Sequence, residues 1–229
     1  MDYTARYGLE FNPFLKNSKE VLVETQEYKE VLFRLDYLLT TKGFGLLTGS
    51  AGRGKTTAVR NWASGLNTSL YKVMYSSLST LTVNDFYRNL ATELGAQPAF
   101  RKTDNFKSIQ DEINRLVLEK RQTPVIIIDE ANYIGNAVLN DLKMLFNFEM
   151  DSKDRAVVLL SGLPQLNSTL RLSIHEPFRQ RIVMNYNLEG MTKAEVTMLL
   201  MLWSPVFCPR VKINSLFSKA LTVPLNIAR

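Results

Sequence analysis

One stretch of eight residues constrains this chain most, because it fits the phosphate-loop pattern G-x-x-x-x-G-K-[ST] at every fixed position. An apolar run at 43–48 precedes it and predicts a buried strand, while residues 57–63 after it predict a helix. Loop N–H groups and a helix N-terminus in this order can surround a polyphosphate. The loop is Gly49-Ser50-Ala51-Gly52-Arg53-Gly54-Lys55-Thr56, with Thr57 directly after it.

The side chains at the end of the loop predict a site for ATP and Mg²⁺. Lys55 is expected to reach the β- and γ-phosphates, and Thr56 to offer its hydroxyl to Mg²⁺. A second apolar run, 124–128, ends in two carboxylates, which is typical of a strand buried on both faces that opens on a site. Asp129 is then placed to hold the Mg²⁺ shell, and Glu130 to polarise an attacking water.

Composition limits the class of protein. A chain of 229 residues with 45% hydrophobic and 22% charged residues is globular and can bury one substantial core. Its net charge of +6 favours polyanionic partners, and nucleic acid is one candidate. A single cysteine excludes an internal disulfide, and no apolar run is long enough to span a bilayer, so we expect a cytoplasmic protein without a membrane partner.

Strand and helix patterns alternate along the chain. A helix is expected over 25–40, a strand over 71–76, a helix over 83–94 between Thr82 and Gly95, and a helix over about 105–121 capped by Thr103 or Asp104. A helix around 138–146 and strands over 156–161 and 183–188 follow. This alternation predicts an α/β fold in which helices cover both faces of a parallel sheet.

Three further assignments stay open on the residues alone. Pro13 and Phe14 fit either an adenine pocket or a surface strap. Ser161, at the end of its strand, can position the attacking water or can satisfy a neighbouring backbone group. Arg179 and Arg181 can be solvated, or one of them can reach the γ-phosphate of a neighbouring subunit.

Taken together, these residues resemble the AAA+ ATPases, and within them the bacterial group of ExeA-type secretion ATPases and TnsC/TniB-like ATPases that accompany DDE transposases. The resemblance covers roughly residues 3–200. It implies a P-loop NTPase three-layer αβα sandwich with sheet order 5-1-4-3-2, an ATP-driven ring or filament, and an arginine finger at Arg181 before Arg179. The residues that carry it are 7–14, the phosphate loop, 128–132, 160–166 and 178–182.

Two positions depart from the pattern of this group. Leu163 stands where glutamine is usual, and Leu225 stands where a lid arginine that senses nucleotide is usual. We therefore expect a nucleotide-binding domain over 1–190, including a lead-in over 1–24, and a short or degenerate helical lid over 191–229.

Three functions compete on this basis. The first is an ATP-hydrolysing oligomer that binds double-stranded DNA and helps a DDE transposase select its target. The second is an ExeA-type secretion accessory ATPase, although such proteins usually add a transmembrane helix and a wall-binding domain, and neither is expected here. The third is a nucleotide-dependent interaction switch that does not hydrolyse ATP.

Overall fold

The structure is a computed structural model that describes residues 24–76, 82–149 and 153–197. One compact unit covers Gln26–Gly190. Its helices are α1 (Gln26–Thr41), α2 (Lys55–Gly65), α3 (Val83–Leu94), α4 (Lys102–Leu118), α5 (Asn136–Leu145), α6 (Gln165–Leu170) and α7 (Glu176–Arg179), with short 3₁₀ turns at Ala131–Tyr133 and Ser173–His175. Its strands are β1 (Gly43–Gly49), β2 (Tyr71–Ser76), β3 (Thr123–Ile128), β4 (Val157–Gly162) and β5 (Ile182–Leu188).

The five strands form one parallel sheet in the order β5-β1-β4-β3-β2. This order confirms the one that the resemblance implied. It places β4 between β1, which leads into the phosphate loop, and β3, which ends at Asp129. The carboxyl ends of these three strands therefore meet at one edge of the sheet, where open α/β sheets bind their ligands.

The central strands are buried on both faces, as their continuous apolar sequences predict. Successive residues of β3 and β4 point alternately into two separate apolar clusters. Helices α1 and α2 cover one face, and α3, α4 and α5, with buried residues of α6 and α7, cover the other. The predicted three-layer sandwich is confirmed.

Helix ends agree with the sequence at α3 and differ at α4. Thr82 caps α3 by accepting a hydrogen bond from the backbone N–H of Asp85, and Gly95 ends the helix with φ 87°. The prediction that Thr103 or Asp104 caps α4 is wrong, because the helix already begins at Lys102. The buried Asn105 amide pairs with both the N–H and the carbonyl of Ala99, which folds the preceding segment over the first turn.

A separate helix starts after Gly190. Thr192 and Glu195 form a capping box: the Glu195 carboxylate accepts from Thr192 N, and Thr192 Oγ1 accepts from Glu195 N. Residues 193–197 are helical. The start of the expected lid is thus helical, and the rest of it lies outside the described residues, as does Leu225.

Candidate nucleotide site

The phosphate loop leaves β1 and enters α2 through two glycines with positive φ, 75° at Gly52 and 85° at Gly54. A side chain would be strained at these angles, so glycine here lets the loop turn back over the helix N-terminus. Helix α2 begins at Lys55, and its first backbone N–H groups face the loop. This is the geometry that binds phosphate in strand–loop–helix sites.

Lys55 is 7% exposed, and two backbone carbonyls hold its ammonium group. Its Nζ donates to Gly49 O at 2.7 Å and to Ser50 O at 3.0 Å. A buried ammonium needs such acceptors because burial without a partner is costly. The two carbonyls keep the charge of Lys55 at the inner wall of the loop, where it can meet an anion.

Asp129 lies directly after β3 and joins the sheet edge to the phosphate loop. Its Oδ2 accepts from Thr56 Oγ1 at 2.9 Å and from Tyr75 OH at 3.0 Å, while its Oδ1 accepts from Glu130 N at 3.0 Å. The carboxyl group is buried. The predicted Mg²⁺ ligands Thr56 and Asp129 therefore lie within hydrogen-bond distance of each other, 73 residues apart in the chain.

Glu130 is exposed and has a left-handed backbone conformation, with φ 51°. Such angles are uncommon outside glycine and are found preferentially at functional sites. The turn directs Glu130 into a cleft of about 550 Å³ at the mouth of the phosphate loop. The cleft is lined by Ala51, Gly52, Gly54, Lys55, Thr56, Thr57, Glu130, Tyr133 and Leu163.

The donors in this cleft suit Mg²⁺ bound together with a phosphate. A hydroxyl and a carboxylate are hard oxygen ligands, and Mg²⁺ in nucleotide sites takes one or two carboxylates and completes its shell with phosphate and water. No group of three or more His, Cys, Asp or Glu that could hold a metal occurs within 24–76, 82–149 and 153–197. A Mg²⁺ held by Thr56 and Asp129 would take its further ligands from phosphate and water.

Ser161 lies at the end of β4, paired with Leu47 of β1 and one residue beyond the Ile128–Leu160 pair of β3 and β4. It is 1% exposed, and its Oγ has no hydrogen-bond partner within the described residues. The alternative in which a backbone group satisfies this hydroxyl therefore finds no support there. A buried hydroxyl without a partner, level with Asp129, is suited to a polar ligand at the sheet edge.

The turn after Glu130 packs directly on the end of β4. A Cβ at Gly162 would lie 2.9 Å from Asn132 Oδ1 and 3.1 Å from Asn132 N, so only glycine allows this approach. Asn132 Oδ1 in turn accepts from Leu163 N at 2.9 Å. These contacts fix the position of Glu130 relative to Ser161.

Gly162→Ala is expected to destabilise the protein by about 1–3 kcal/mol, because the added methyl group would crowd both the side chain and the backbone N of Asn132. Chemical denaturation measures the change. Gly65→Ala is the matched control, since nothing lies within 4 Å of a Cβ at Gly65 and its stability should stay within about 1 kcal/mol of wild type. Equal stabilities of the two variants would contradict the packing argument.

The two arginines after α6 differ in their surroundings. Arg179 is exposed, and its Nη1 donates to Arg171 O at 3.3 Å. Arg181 is partly buried, and its Nη1 donates to Lys143 O at 2.7 Å, close to the end of α5. Burial lowers the pKa of the Arg181 guanidinium. Arg181 is thus tied to its own subunit, and Arg179 has the freer side chain.

Helix α5 is held at both ends by the segment that carries these arginines. Buried His175 contacts Asn136, the first residue of α5, with 2.9 Å between Nε2 and Oδ1. Arg181 holds Lys143 near the other end. Burial also lowers the pKa of His175, which favours the neutral imidazole. The segment from His175 to Arg181 is thus bonded to both ends of the helix that follows the Glu130 turn.

Among the remaining predicted site residues, Arg53 lies within the described structure, and two others do not. Arg53 packs over Gly190, where an added Cβ would lie 2.1 Å from its Nη1. Pro13 and Phe14 lie outside the described residues. Sequence reasoning missed Tyr75, Asn132 and a polar chain in which Asn167 Nδ2 donates to Thr48 Oγ1 and Thr48 Oγ1 donates to Asn187 Oδ1. For Tyr75, Thr48 and Asn187 the available signal was a polar residue near the carboxyl end of a strand.

A family model described as AAA domain matches residues 38–170, more than half of the chain and all of the loop, β3 and β4. The chain belongs to the AAA domain family. It is therefore a protein of the P-loop ATPase family.

Two curated relatives agree with the group that the sequence resembles. The chain is 32% identical over 201 residues to General secretion pathway protein A of Aeromonas hydrophila, covering 85% of this chain and 36% of that protein. It is 31% identical over 123 residues to ATP-dependent target DNA activator B of Escherichia phage Mu, covering 54% of this chain and 37% of that protein. The chain thus spans little more than a third of either relative.

Solved structures share the fold. The ORC2 protein of Aeropyrum pernix, in ADPNP and ADP complexes, matches with a TM-score of 0.61 at 18% identity, over 85% of this chain and 55% of that one. Cdc6p of Pyrobaculum aerophilum matches with a TM-score of 0.60 at 15% identity, over 83% of this chain and 52% of that one. At such identities the likeness establishes the architecture alone.

No helix within the described part of the chain is long and apolar enough to cross a membrane.

Proposed function

We propose that this chain binds ATP with Mg²⁺ and hydrolyses it to ADP and phosphate. The observation that supports this most is the hydrogen bond between Thr56 and Asp129, because it brings the loop and the end of β3 to one cleft that also holds Lys55 and Glu130. The loop N–H groups and the Lys55 ammonium would bind the β- and γ-phosphates. Thr56 and Asp129 would hold Mg²⁺, which neutralises charge on the phosphate oxygens.

In this reaction Glu130 acts as general base. Its exposed carboxylate accepts a proton from a water as the water oxygen attacks the γ-phosphorus, and the bond from that phosphorus to the β–γ bridging oxygen breaks. Ser161, whose hydroxyl has no partner in the described structure, would hydrogen-bond the γ-phosphate or that water. Leu163, where the group usually has glutamine, lines the cleft with a side chain that has no hydrogen-bonding group.

The protein is proposed to act as a ring or filament in which an arginine of one subunit reaches the nucleotide of the next. The resemblance puts Arg181 first for this role. The structure favours Arg179, because it is exposed and Arg181 is bonded to the backbone of its own α5. A head-to-tail contact of this kind generates rings or filaments.

The proposed partner of the assembly is double-stranded DNA, and its proposed role is target selection for a DDE transposase. The name of the phage Mu relative, a target DNA activator, and the net charge of +6 support this. The second candidate is a secretion accessory ATPase, which is favoured by the match to General secretion pathway protein A over 85% of the chain. The third, a switch that binds ATP without hydrolysis, remains the alternative if Glu130 proves inactive.

One assay separates the three functions: phosphate release from ATP with and without double-stranded DNA. A target-DNA ATPase is expected to turn over ATP faster when DNA is present. A turnover rate that is the same with and without DNA favours the secretion candidate, and nucleotide binding without turnover favours the switch.

DNA binding, measured by mobility shift with a non-hydrolysable ATP analogue, is expected to weaken roughly tenfold or more between about 50 and 200 mM salt, since each phosphate contact releases counterions. The sequence has an excess of Lys and Arg and no zinc-finger spacing, so phosphate contacts should dominate. If the protein caused no mobility shift of DNA even at the lowest salt concentration, the proposed DNA role would lose its physical basis.

A further inference from the structure

The Asp129 carboxylate receives a second side-chain donor that the phosphate-loop pattern does not contain. Tyr75 OH donates to Oδ2 at 3.0 Å, the same oxygen that accepts from Thr56 at 2.9 Å. The backbone N–H of Glu130 occupies Oδ1. Asp129 is therefore oriented by two side-chain donors at Oδ2 and by the backbone N–H of the next residue at Oδ1.

Under the proposed function Thr56 offers an oxygen lone pair to Mg²⁺ and can still donate its hydroxyl proton to Asp129, so Tyr75 is a second donor to the same carboxylate oxygen. The Glu130 N–H orients only Oδ1. Tyr75 has no ligand role and is the remaining side-chain donor to Oδ2 within the described residues. Groups that orient metal ligands in this way tune the affinity for the metal.

We propose that Tyr75 is a positioning residue that orients the Asp129 carboxylate for Mg²⁺, an inference that rests on the proposed nucleotide site. Tyr75 acts through Asp129 and touches neither the phosphates nor the attacking water. Its contribution is to Mg²⁺ affinity and not to nucleotide affinity in the absence of Mg²⁺.

The sheet fixes the place of this phenol. Strand β2 is the edge strand next to β3, with Tyr75 opposite Ile127, and the N–H of Asp129 continues the pairing by donating to Ser76 O at 2.9 Å. Tyr75 and Asp129 thus leave neighbouring strands at the same edge of the sheet. Backbone pairing that continues to Asp129 therefore holds the two side chains next to each other.

The ring and the hydroxyl of Tyr75 have separate surroundings, which makes a clean substitution available. The ring lines a groove between α2 and β2 together with Val59, Ala63 and Val73. Burial, the hydrogen bond to Asp129 and the charges of Asp129 and Glu130 raise the pKa of Tyr75 to about 12, so the hydroxyl remains a donor at neutral pH. Tyr75→Phe removes the donor and keeps the ring in the groove.

The test measures binding of a fluorescent, non-hydrolysable ATP analogue during a Mg²⁺ titration. Tyr75→Phe is expected to raise the Mg²⁺ concentration at half-maximal binding roughly tenfold and to leave binding in EDTA unchanged. Tyr71→Phe is the matched control, because Tyr71 lies four residues earlier on the same side of β2 and should keep the wild-type midpoint.

A wild-type Mg²⁺ midpoint in Tyr75→Phe would overturn the inference. An equal loss of affinity in EDTA and in Mg²⁺ would also overturn it, because the hydroxyl would then act on the fold or on the nucleotide. Thermal unfolding without nucleotide separates these last two cases. Failure of the wild-type chain to bind the analogue at all would instead refute the proposed nucleotide site, and the inference with it.

Discussion

Replacing Lys55 by alanine is expected to abolish tight binding of ATP with Mg²⁺. The substitution removes the buried ammonium group that the carbonyls of Gly49 and Ser50 hold at the inner wall of the loop. Hydrogen bonds from a cation to phosphate are among the strongest in proteins, about 1.5–3 kcal/mol each. Lys55 has three N–H donors and makes two such bonds when a phosphate oxygen replaces one of its two carbonyl acceptors. We therefore expect affinity to fall roughly 100-fold or more.

Calorimetry with a non-hydrolysable ATP analogue measures this loss. Lys107→Ala is the matched control, because Lys107 is an exposed lysine of α4, away from the loop, and its removal changes the net charge by the same amount. Thermal unfolding without nucleotide checks that Lys55→Ala still folds. If the folded variant bound the analogue as tightly as wild type, the assignment of this loop as the phosphate site would be wrong.

The elements that the sequence predicted well are those whose signal is local. The phosphate loop has its residues adjacent in the chain, and α3 has both its cap, Thr82, and its stop, Gly95, next to a clear helical repeat. Strands β3 and β4 are continuous apolar runs, which are typical of a sheet covered on both faces. Once the alternation of strands and helices gives a parallel sheet, Thr56 and Asp129 must meet at its carboxyl edge.

The parts that escaped prediction depend on pairs far apart in the chain. From the sequence, Tyr75 is one more apolar position of a strand. Only the register of β2 against β3 brings it beside Asp129, which lies 54 residues later in the chain. The sequence likewise gives no sign that Arg181 donates a hydrogen bond to the Lys143 carbonyl of α5. Local composition carries no information on such contacts, because they exist only after the layers have packed.

The start of α4 was missed for a related reason. The polar residues Thr103 and Asp104 are good caps in isolation, but the buried Asn105 amide binds both backbone groups of Ala99 and moves the helix start to Lys102. A side chain that satisfies two backbone groups outweighs a single cap. The error shifts the helix by one turn and leaves its buried face unchanged.

Glu130→Gln is expected to keep ATP bound and to lose nearly all turnover, since the amide has the shape of the carboxylate without its basicity. Arg179→Ala is expected to keep ATP binding by each subunit and also to lose most turnover, because under the proposed mechanism its side chain acts on the nucleotide of the next subunit. The two lesions therefore affect different sides of one shared site. Phosphate release by each variant alone gives the baseline for the mixing experiment.

Mixing the two inactive variants is then expected to restore activity. In a random mixture about a quarter of the contacts join a subunit with intact Glu130 to a neighbour with intact Arg179, so up to about a quarter of wild-type turnover should return. The matched control mixes Glu130→Gln with Lys55→Ala, in which every nucleotide site keeps one lesion of its own and no activity should return.

Arg181→Ala separates the two arginines in the same assay. Loss of its hydrogen bond to Lys143 O should lower the unfolding temperature, because α5 loses one of its two ties to the segment that carries Arg179. Any loss of ATP turnover in Arg181→Ala should then be explained by the fraction of protein that is unfolded at the assay temperature. If Arg181→Ala were stable and inactive while Arg179→Ala hydrolysed ATP normally, Arg181 would be the residue that acts between subunits. Normal turnover in both variants would instead show that no arginine of this segment reaches a neighbouring nucleotide, and the ring or filament mechanism would fail for this chain.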